Sequence, residues 1–193
     1  RTYPGDCISV AGAKGGGKTS FAIQVAIANT GDGTPVIWCA LELDPKQIST
    51  RIVGNMHGVH TAEIRERWPS DRIAHSLTAI ADMWRFVDRY SDTERQVAAL
   101  MDAIHLAKKV YRRPPLVIID YLGKLASMAK DIKLATIQAV EQMRAAAIAE
   151  QCFIMLLVQT SRANEGSLTG RIDIAAATDA MGSAAESAEV EAA

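Results

Sequence analysis

Residues 12–19 read Gly-Ala-Lys-Gly-Gly-Gly-Lys-Thr and fill every fixed position of the pattern G-x-x-x-x-G-K-[ST]. An apolar run precedes them and a helix-like run follows, which is the context this pattern requires. The near absence of side chain has a physical purpose. Glycines let the backbone wrap a phosphate chain with its N–H groups pointing inward. A following helix adds the partial positive charge of its N-terminus. The expected phosphate-binding set is therefore Gly12, Ala13, Lys14, Gly15, Gly16, Gly17, Lys18, Thr19 and Ser20. Lys18 is expected to reach the β- and γ-phosphates, and the Thr19 hydroxyl to ligate Mg²⁺. The cofactors implied are a nucleoside polyphosphate and Mg²⁺.

A phosphate loop of this kind needs a second acid at the end of a neighbouring apolar strand to orient the metal. "LVIID" supplies Asp120 there. Hydrolysis also needs a group that orients and deprotonates water. Glu42 ends the run "VIWCALE" and could be that base, or simply a surface residue opening a loop. Gln159 ends "FIMLLVQ" and could sense the γ-phosphate by hydrogen bonding, or merely close a strand.

The elements that must position these groups follow from hydrophobic periodicity. "DCISVAG" reads as a buried strand. Residues 18–29 read as a helix with Phe21, Val25 and Ala28 on one face, and Ile23 and Ile27 beside them. Residues 36–42 read as a second strand. Asp44-Pro45 offers an N-cap and an N1 proline for a helix through about Asn55. Residues 61–80 are mixed, with "TAEIRERW" helical, and residues 83–88 form a candidate strand. Ser91 and Glu94 make a capping-box pattern. It opens a helix carrying Val97, Leu100, Ile104 and Ala107, which Pro114-Pro115 stop. The strand "LVIID", a helix over about 132–150 and the strand "CFIMLLVQ" complete the series, and residues 162–178 read as loop.

Strands that are apolar throughout and alternate with helices indicate an α/β fold with a parallel sheet covered on both faces. Right-handed crossovers bring every strand's carboxyl end to one edge, where ligands bind.

Bulk properties agree with this class. The chain has 193 residues, 49% of them apolar and 22% charged, which suits one soluble domain spanning 1–193. The two ends read as cuts through something larger. A net charge of −1 selects neither nucleic acid nor membrane by itself. No apolar run approaches a membrane span, and no signal-peptide pattern opens the chain. Cys7, Cys39 and Cys152 lie in apolar runs without a C-x-x-C spacing. Buried free thiols and a cytoplasmic location are expected. His57 and His60 lack a third ligand nearby, so no zinc site is expected.

Four strand ends thus carry, in order, Gly-Lys-Thr, Glu, Asp and Gln. This arrangement resembles the RecA-like ATPase core, and most closely the motor domain of DnaB-type replicative helicases. "CALELDPKQISTRIVGNMHGV" is similar to the family segment that begins Ser-Leu-Glu-Met and runs into a helix rich in Leu and Arg. "VIIDYLGKL" resembles the Ile-Asp-Tyr-Leu-Gln-Leu segment, and "LLVQTSRANEG" the Leu-Ser-Gln-Leu-Asn-Arg segment. "MGSAAESAEV" is more loosely like the Gly-Ser-Ile-Glu-Gln-Asp-Ala-Asp-Val that follows. The loop is not the deviant type of ParA- and MinD-type ATPases, whose second lysine directly follows the first glycine. Here that place is Ala13.

The resemblance implies that Lys18 and Thr19 hold phosphate and Mg²⁺, Glu42 is the catalytic base, Asp120 is the Walker B acid, and Gln159 couples the γ-phosphate to DNA-facing loops. It also implies a hexameric ring with ATP between subunits and single-stranded DNA in the centre. The chain departs from the family at Gly123, where the family has Gln, and at Asp179-Ala180-Met181, where it has Arg-Glu-Ser. The family's arginine finger lies beyond residue 193. Lys124, Lys130 and Lys133 after Asp120, with Arg162 and Arg171 after Gln159, are the candidate DNA contacts, or else a solvated surface. Tyr121 is the one aromatic candidate for base stacking there. Lys108, Lys109, Arg112 and Arg113 are explained by the C-terminal dipole of their helix. A motor acting on single-stranded DNA is the main expectation. The rivals are a RecA-like ATP-binding adaptor, loader or signalling ATPase acting on a protein partner, and a recombinase-like filament former.

Overall fold

The computed structural model describes residues 3–90, 93–120 and 132–159. Five parallel strands form one sheet in the order β1-β5-β4-β2-β3. They are β1 (Cys7–Gly12), β2 (Val36–Ala40), β3 (Trp84–Val87), β4 (Leu116–Asp120) and β5 (Phe153–Gln159). The helices are α1 (Lys18–Gly31), α2 (Pro45–His57), α3 (Thr61–Arg67), α4 (Ser70–Ala81), α5 (Thr93–Tyr111) and α6 (Ile132–Glu150). The glycine-rich loop therefore joins β1 to α1.

The pleat sorts each strand's side chains into two cores. Val36, Trp38, Ala40, Leu116, Ile118, Met155 and Leu157 face α1, α2 and α4, where Ala22, Ile23, Ala26, Ile48, Ile52 and Ile80 meet them. Ile37, Cys39, Val117, Ile119, Ile154 and Leu156 face the other way. There they meet Leu100, Ile104 and Ala107 of α5, and Val140, Met143 and Ala147 of α6. Burial on both faces is why these strands lack polar alternation.

Several details differ from the sequence reading. The acid-bearing strand β4 is not beside β1, because β5 pairs with both and lies between them. β2 ends at Ala40, two residues short of Glu42, because Leu41 N and Glu42 N both turn to donate to the Asp120 carbonyl (2.9 and 3.2 Å). The buried stripe of α1 is Ala22, Ile23, Ala26 and Thr30, while Phe21 is 49% exposed. Apolar residues surround this helix, and the small pair Ala22 and Ala26 allows the closest approach to the sheet. A whole helix, α4, occupies residues read as mixed. Its Ile73, Leu77 and Ile80 have helical spacing, but only Ile80 is buried. The Ser91 cap and the loop at 162–178 lie outside the described residues. The three cysteines are free, and burial pushes Cys39 up to about 12 and Cys7 and Cys152 up to about 11.

Two buried polar groups tie the edge strand β3 to the rest. Trp84 Nε1 donates to Thr30 Oγ1 at 2.7 Å, and the Trp84 ring stacks on Trp38 at 6.1 Å between centroids. Gln96 is 2% exposed; its amide donates to the Asp88 carbonyl and to Cys39 Sγ, and its carbonyl accepts from Tyr90 N.

The start of α2 matters for the site because it fixes the exit of the chain after Glu42. Asp44 accepts from Gln47 N at 2.8 Å, and Pro45 takes the first helical position, as expected. Asp44→Ala is predicted to lower unfolding stability by about 1 kcal/mol, read from the shift of a chemical denaturation midpoint. A change indistinguishable from zero would mean that the cap contributes nothing.

Candidate functional site

Strand parity brings the expected groups together. Asp120 is two residues beyond Ile118, and Gln159 two beyond Leu157, so both continue the row that faces α1. Gln159 also pairs in register with Gly12, the residue that opens the loop. Asp120 pairs with Ala40 on one side and Leu157 on the other. Residues 14–20, Glu42, Leu43, Arg51, Asp120 and Gln159 then line one hollow of about 390 Å³ at the carboxyl edge of the sheet.

The loop is shaped by its glycines. Gly17 sits at φ +81°, a conformation L side chains rarely adopt, and a Cβ on Gly16 would press to 3.1 Å from the Ala13 carbonyl. Gly17 is also the N-cap of α1, with no side chain capping the helix. The first N–H groups of α1 are thus left for a ligand, whereas those of α2 are capped by Asp44. Lys18 Nζ donates to the carbonyls of Gly12 and Ala13, both at 2.7 Å. Gly12 and Ala13 do not line the hollow; they hold the lysine from behind.

Thr19 Oγ1 donates to Asp120 Oδ2 at 3.1 Å across 101 residues of sequence. Asp120 is 3% exposed. Burial raises its pKa above the ordinary 3.8; the Thr19 hydrogen bond opposes this, the Glu42 charge adds to it, and Arg51 and Lys18 oppose it. A buried carboxylate next to a hydroxyl is a pair of hard oxygen donors short of positive charge, which fits Mg²⁺. No group of three or more His, Cys, Asp or Glu that could hold a metal occurs among the described residues. Such an ion would complete its shell with phosphate and water oxygens, as Mg²⁺ sites at phosphates usually do.

Glu42 is exposed and lines the hollow. Lys14 is exposed at the loop's tip. Of the candidate DNA contacts, Lys124, Lys130, Arg162 and Arg171 lie outside the described residues, as do Tyr121 and the side chain of Lys133. His57 bonds Ser76 Oγ and packs edge-on to Trp68, while His60 caps α3, so neither is arranged as a metal ligand.

Arg51 is the residue the sequence reading missed. It lies two turns into α2, and its guanidinium forms no ion pair among the described residues. Its signal was its place in the helix that begins at the site's rim, nine residues after Glu42.

The match to known proteins agrees with this geometry. The model of the DnaB-like helicase C terminal domain matches residues 2–182. The chain belongs to that family. A comparison with curated proteins finds no match. Among solved structures, a DnaB-like replicative helicase, described with its interactions with primase, superposes with a TM-score of 0.73 at 18% identity, covering 88% of this chain and 43% of that one. A second solved structure, described as an ATPase domain, gives 0.74 at 19% identity, covering 91% of this chain and 64% of that one. The chain therefore spans less than two thirds of either, and the likeness establishes the RecA-like fold of the DnaB-like domain. No helix among the described residues is long and apolar enough to cross a membrane.

The Asp120 environment has a measurable consequence. A carboxyl whose pKa is raised by folding binds its proton more tightly in the folded chain. Its effect on stability is most favourable below the ordinary value of 3.8, declines as pH rises through the raised value, and stays low at neutral pH. Asp120→Asn keeps an acceptor for Thr19 and removes the charge. It is predicted to raise the melting temperature of the ligand-free protein at about pH 7.5, with a gain that shrinks as the pH falls toward about 4. A melting temperature that is unchanged or lower at the higher pH would contradict this account of the site.

Proposed function

We propose that this DnaB-like domain is the Mg²⁺-ATP-dependent core of a ring-shaped motor, in the manner of a hexameric helicase, acting on single-stranded DNA. The observation that carries the reading is the Thr19–Asp120 contact. It brings together the hydroxyl and the carboxylate that P-loop chemistry would need to hold a metal ion. The family match and the convergence of Glu42 and Gln159 on the same hollow support it.

On this reading the N–H groups of the loop and of the first turn of α1 wrap the phosphates, with Ser20 extending the row. Lys18 exchanges two carbonyl partners for phosphate oxygens, so its ammonium is kept hydrogen-bonded before and after nucleotide entry. Thr19 and Asp120 would hold Mg²⁺, which would supply positive charge against the charge developing on the phosphates. Glu42, held at the rim by its backbone bond to Asp120, takes the proton of the attacking water. Gln159 reads the γ-phosphate and passes its presence to the segment that follows it. Arg51 supplies a cation in cis whose fork suits phosphate oxygens. Lys124, Lys130, Lys133, Arg162 and Arg171 track the DNA backbone without reading sequence. An arginine from the neighbouring subunit completes each site.

The test is ATP hydrolysis by the full-length protein with and without single-stranded DNA at low salt, beside Lys18→Ala as a blank. Marked stimulation by DNA is expected in the wild type and not in that variant. Glu42→Gln is predicted to bind nucleotide normally while turnover falls about a thousandfold. Normal hydrolysis by Glu42→Gln would remove Glu42 from the role of base. Hydrolysis that DNA neither stimulates nor binds would move the search to a protein partner.

A further inference from the structure

The amino edge of the sheet, away from the phosphate hollow, carries a different feature. A shallow groove runs between α5 and the amino ends of β2 and β3, with Met83, Arg85, Ala103, Leu106, Val110 and Tyr111 in its lining. Its volume, about 30 Å³, is far below the ~300–1,000 Å³ of small-molecule sites. It can take side chains from something laid across it, but not a free ligand. Leu106 is 43% exposed and Val110 58% exposed, one turn apart on the same helix. Around them stand three exposed cations whose side chains have no hydrogen-bond or ion-pair partner among the described residues. They are Arg85 on β3, Lys109 one turn after Leu106, and Arg112 just beyond the end of α5. We propose that this face docks an acidic amphipathic helix of a partner protein.

The basic residues at the end of α5 do not behave alike. Lys108 Nζ donates to the Glu150 carboxylate at 2.7 Å and to the Glu150 carbonyl at 2.9 Å, and Arg113 donates to the Asp32 carbonyl at 2.6 Å. Both are used within the fold. Arg112 is not, yet it holds φ +54°, a left-handed conformation ordinarily given to glycine. α2 closes at the same place with Gly58, at φ +64°. The dipole of α5 favours cations near its end, but it does not call for an arginine at the left-handed position. That side chain is kept for a contact the chain itself does not supply. Charge decides what makes the contact. No acid lines the groove, and the neighbouring Asp82 and Asp102 stand outside it. A second copy seated by a two-fold axis would set Arg85, Lys109 and Arg112 against the same cations. A nucleic acid would lay phosphates over Leu106 and Val110 and lose their hydration against an apolar surface. An apolar stripe flanked by carboxylates satisfies both parts of the face. Ala99 and Ala103 continue the Leu106–Val110 row at helical spacing, and their small side chains let a second helix approach α5 closely.

The experiment is a fluorescence anisotropy titration of the full-length protein at low salt. The probe is a labelled helical peptide as long as α5, with leucine on one face and glutamate on the other. Its control carries lysine in place of glutamate. The glutamate peptide is expected to bind saturably, with an affinity that falls as salt is added, and about tenfold or more tighter than the lysine peptide. Leu106→Glu and Val110→Glu are each expected to weaken it about tenfold or more. Arg112→Gly is expected to weaken it about fivefold while the melting temperature stays level or rises, because glycine relieves the backbone. A purely structural arginine would not separate the two readouts in this way. No saturable binding of the glutamate peptide, equal binding of the lysine peptide, or variants that bind like wild type would overturn the proposal. So would oligothymidine that displaces the glutamate peptide and is itself weakened by Arg112→Gly, which would assign the face to nucleic acid. Self-association in sedimentation that Leu106→Glu abolishes would likewise overturn it, in favour of a second copy.

Discussion

The site depends on one buried carboxylate. Asp120 ends a strand that is buried along its whole length, and it has no cation in contact among the described residues. Its side chain takes the Thr19 hydroxyl, and its carbonyl takes the backbone N–H groups of Leu41 and Glu42. One residue therefore ties the phosphate loop to the strand end that carries the exposed acid. Such a group is costly in the ligand-free protein and becomes favourable only when positive charge arrives. The fold holds that cost in place by surrounding the strand with two apolar cores.

The sheet turns this local constraint into a geometry. Parallel pairing brings β1, β4 and β5 out at the same edge, and the two-residue repeat puts Asp120 and Gln159 on the α1 side. The small residues Ala22 and Ala26 let α1 sit close to that face, and its start carries no side-chain cap. A one-residue slip of β5 would send Gln159 to the α5 and α6 side and empty its corner of the hollow.

Much of this was legible in the chain because its signals are local. The glycine pattern, the strands' apolar runs, the Asp44-Pro45 start of α2 and the acids at strand ends each depend on a few adjacent residues. What was not legible depends on tertiary arrangement. The insertion of β5 between β1 and β4 is a choice of pairing that no single strand encodes. The buried stripe of α1 could not be chosen from a helix apolar nearly all round, and α4 was hidden because just one of its apolar residues is fully buried while Leu77 packs on the core's rim. Arg51 escaped because a lone arginine on a helix is ordinarily solvated. Its meaning comes only from where α2 lies against the loop.

The most direct test of the account is a ¹³C NMR titration of the Asp120 side-chain carboxyl, with and without Mg²⁺ and ADP. The account predicts a pKa above the ordinary aspartate value in the free protein, falling below that value when the metal and nucleotide bind. A free-protein pKa at or below the ordinary value, unmoved by Mg²⁺ and ADP, would contradict the claim that the fold keeps this carboxylate waiting for a cation.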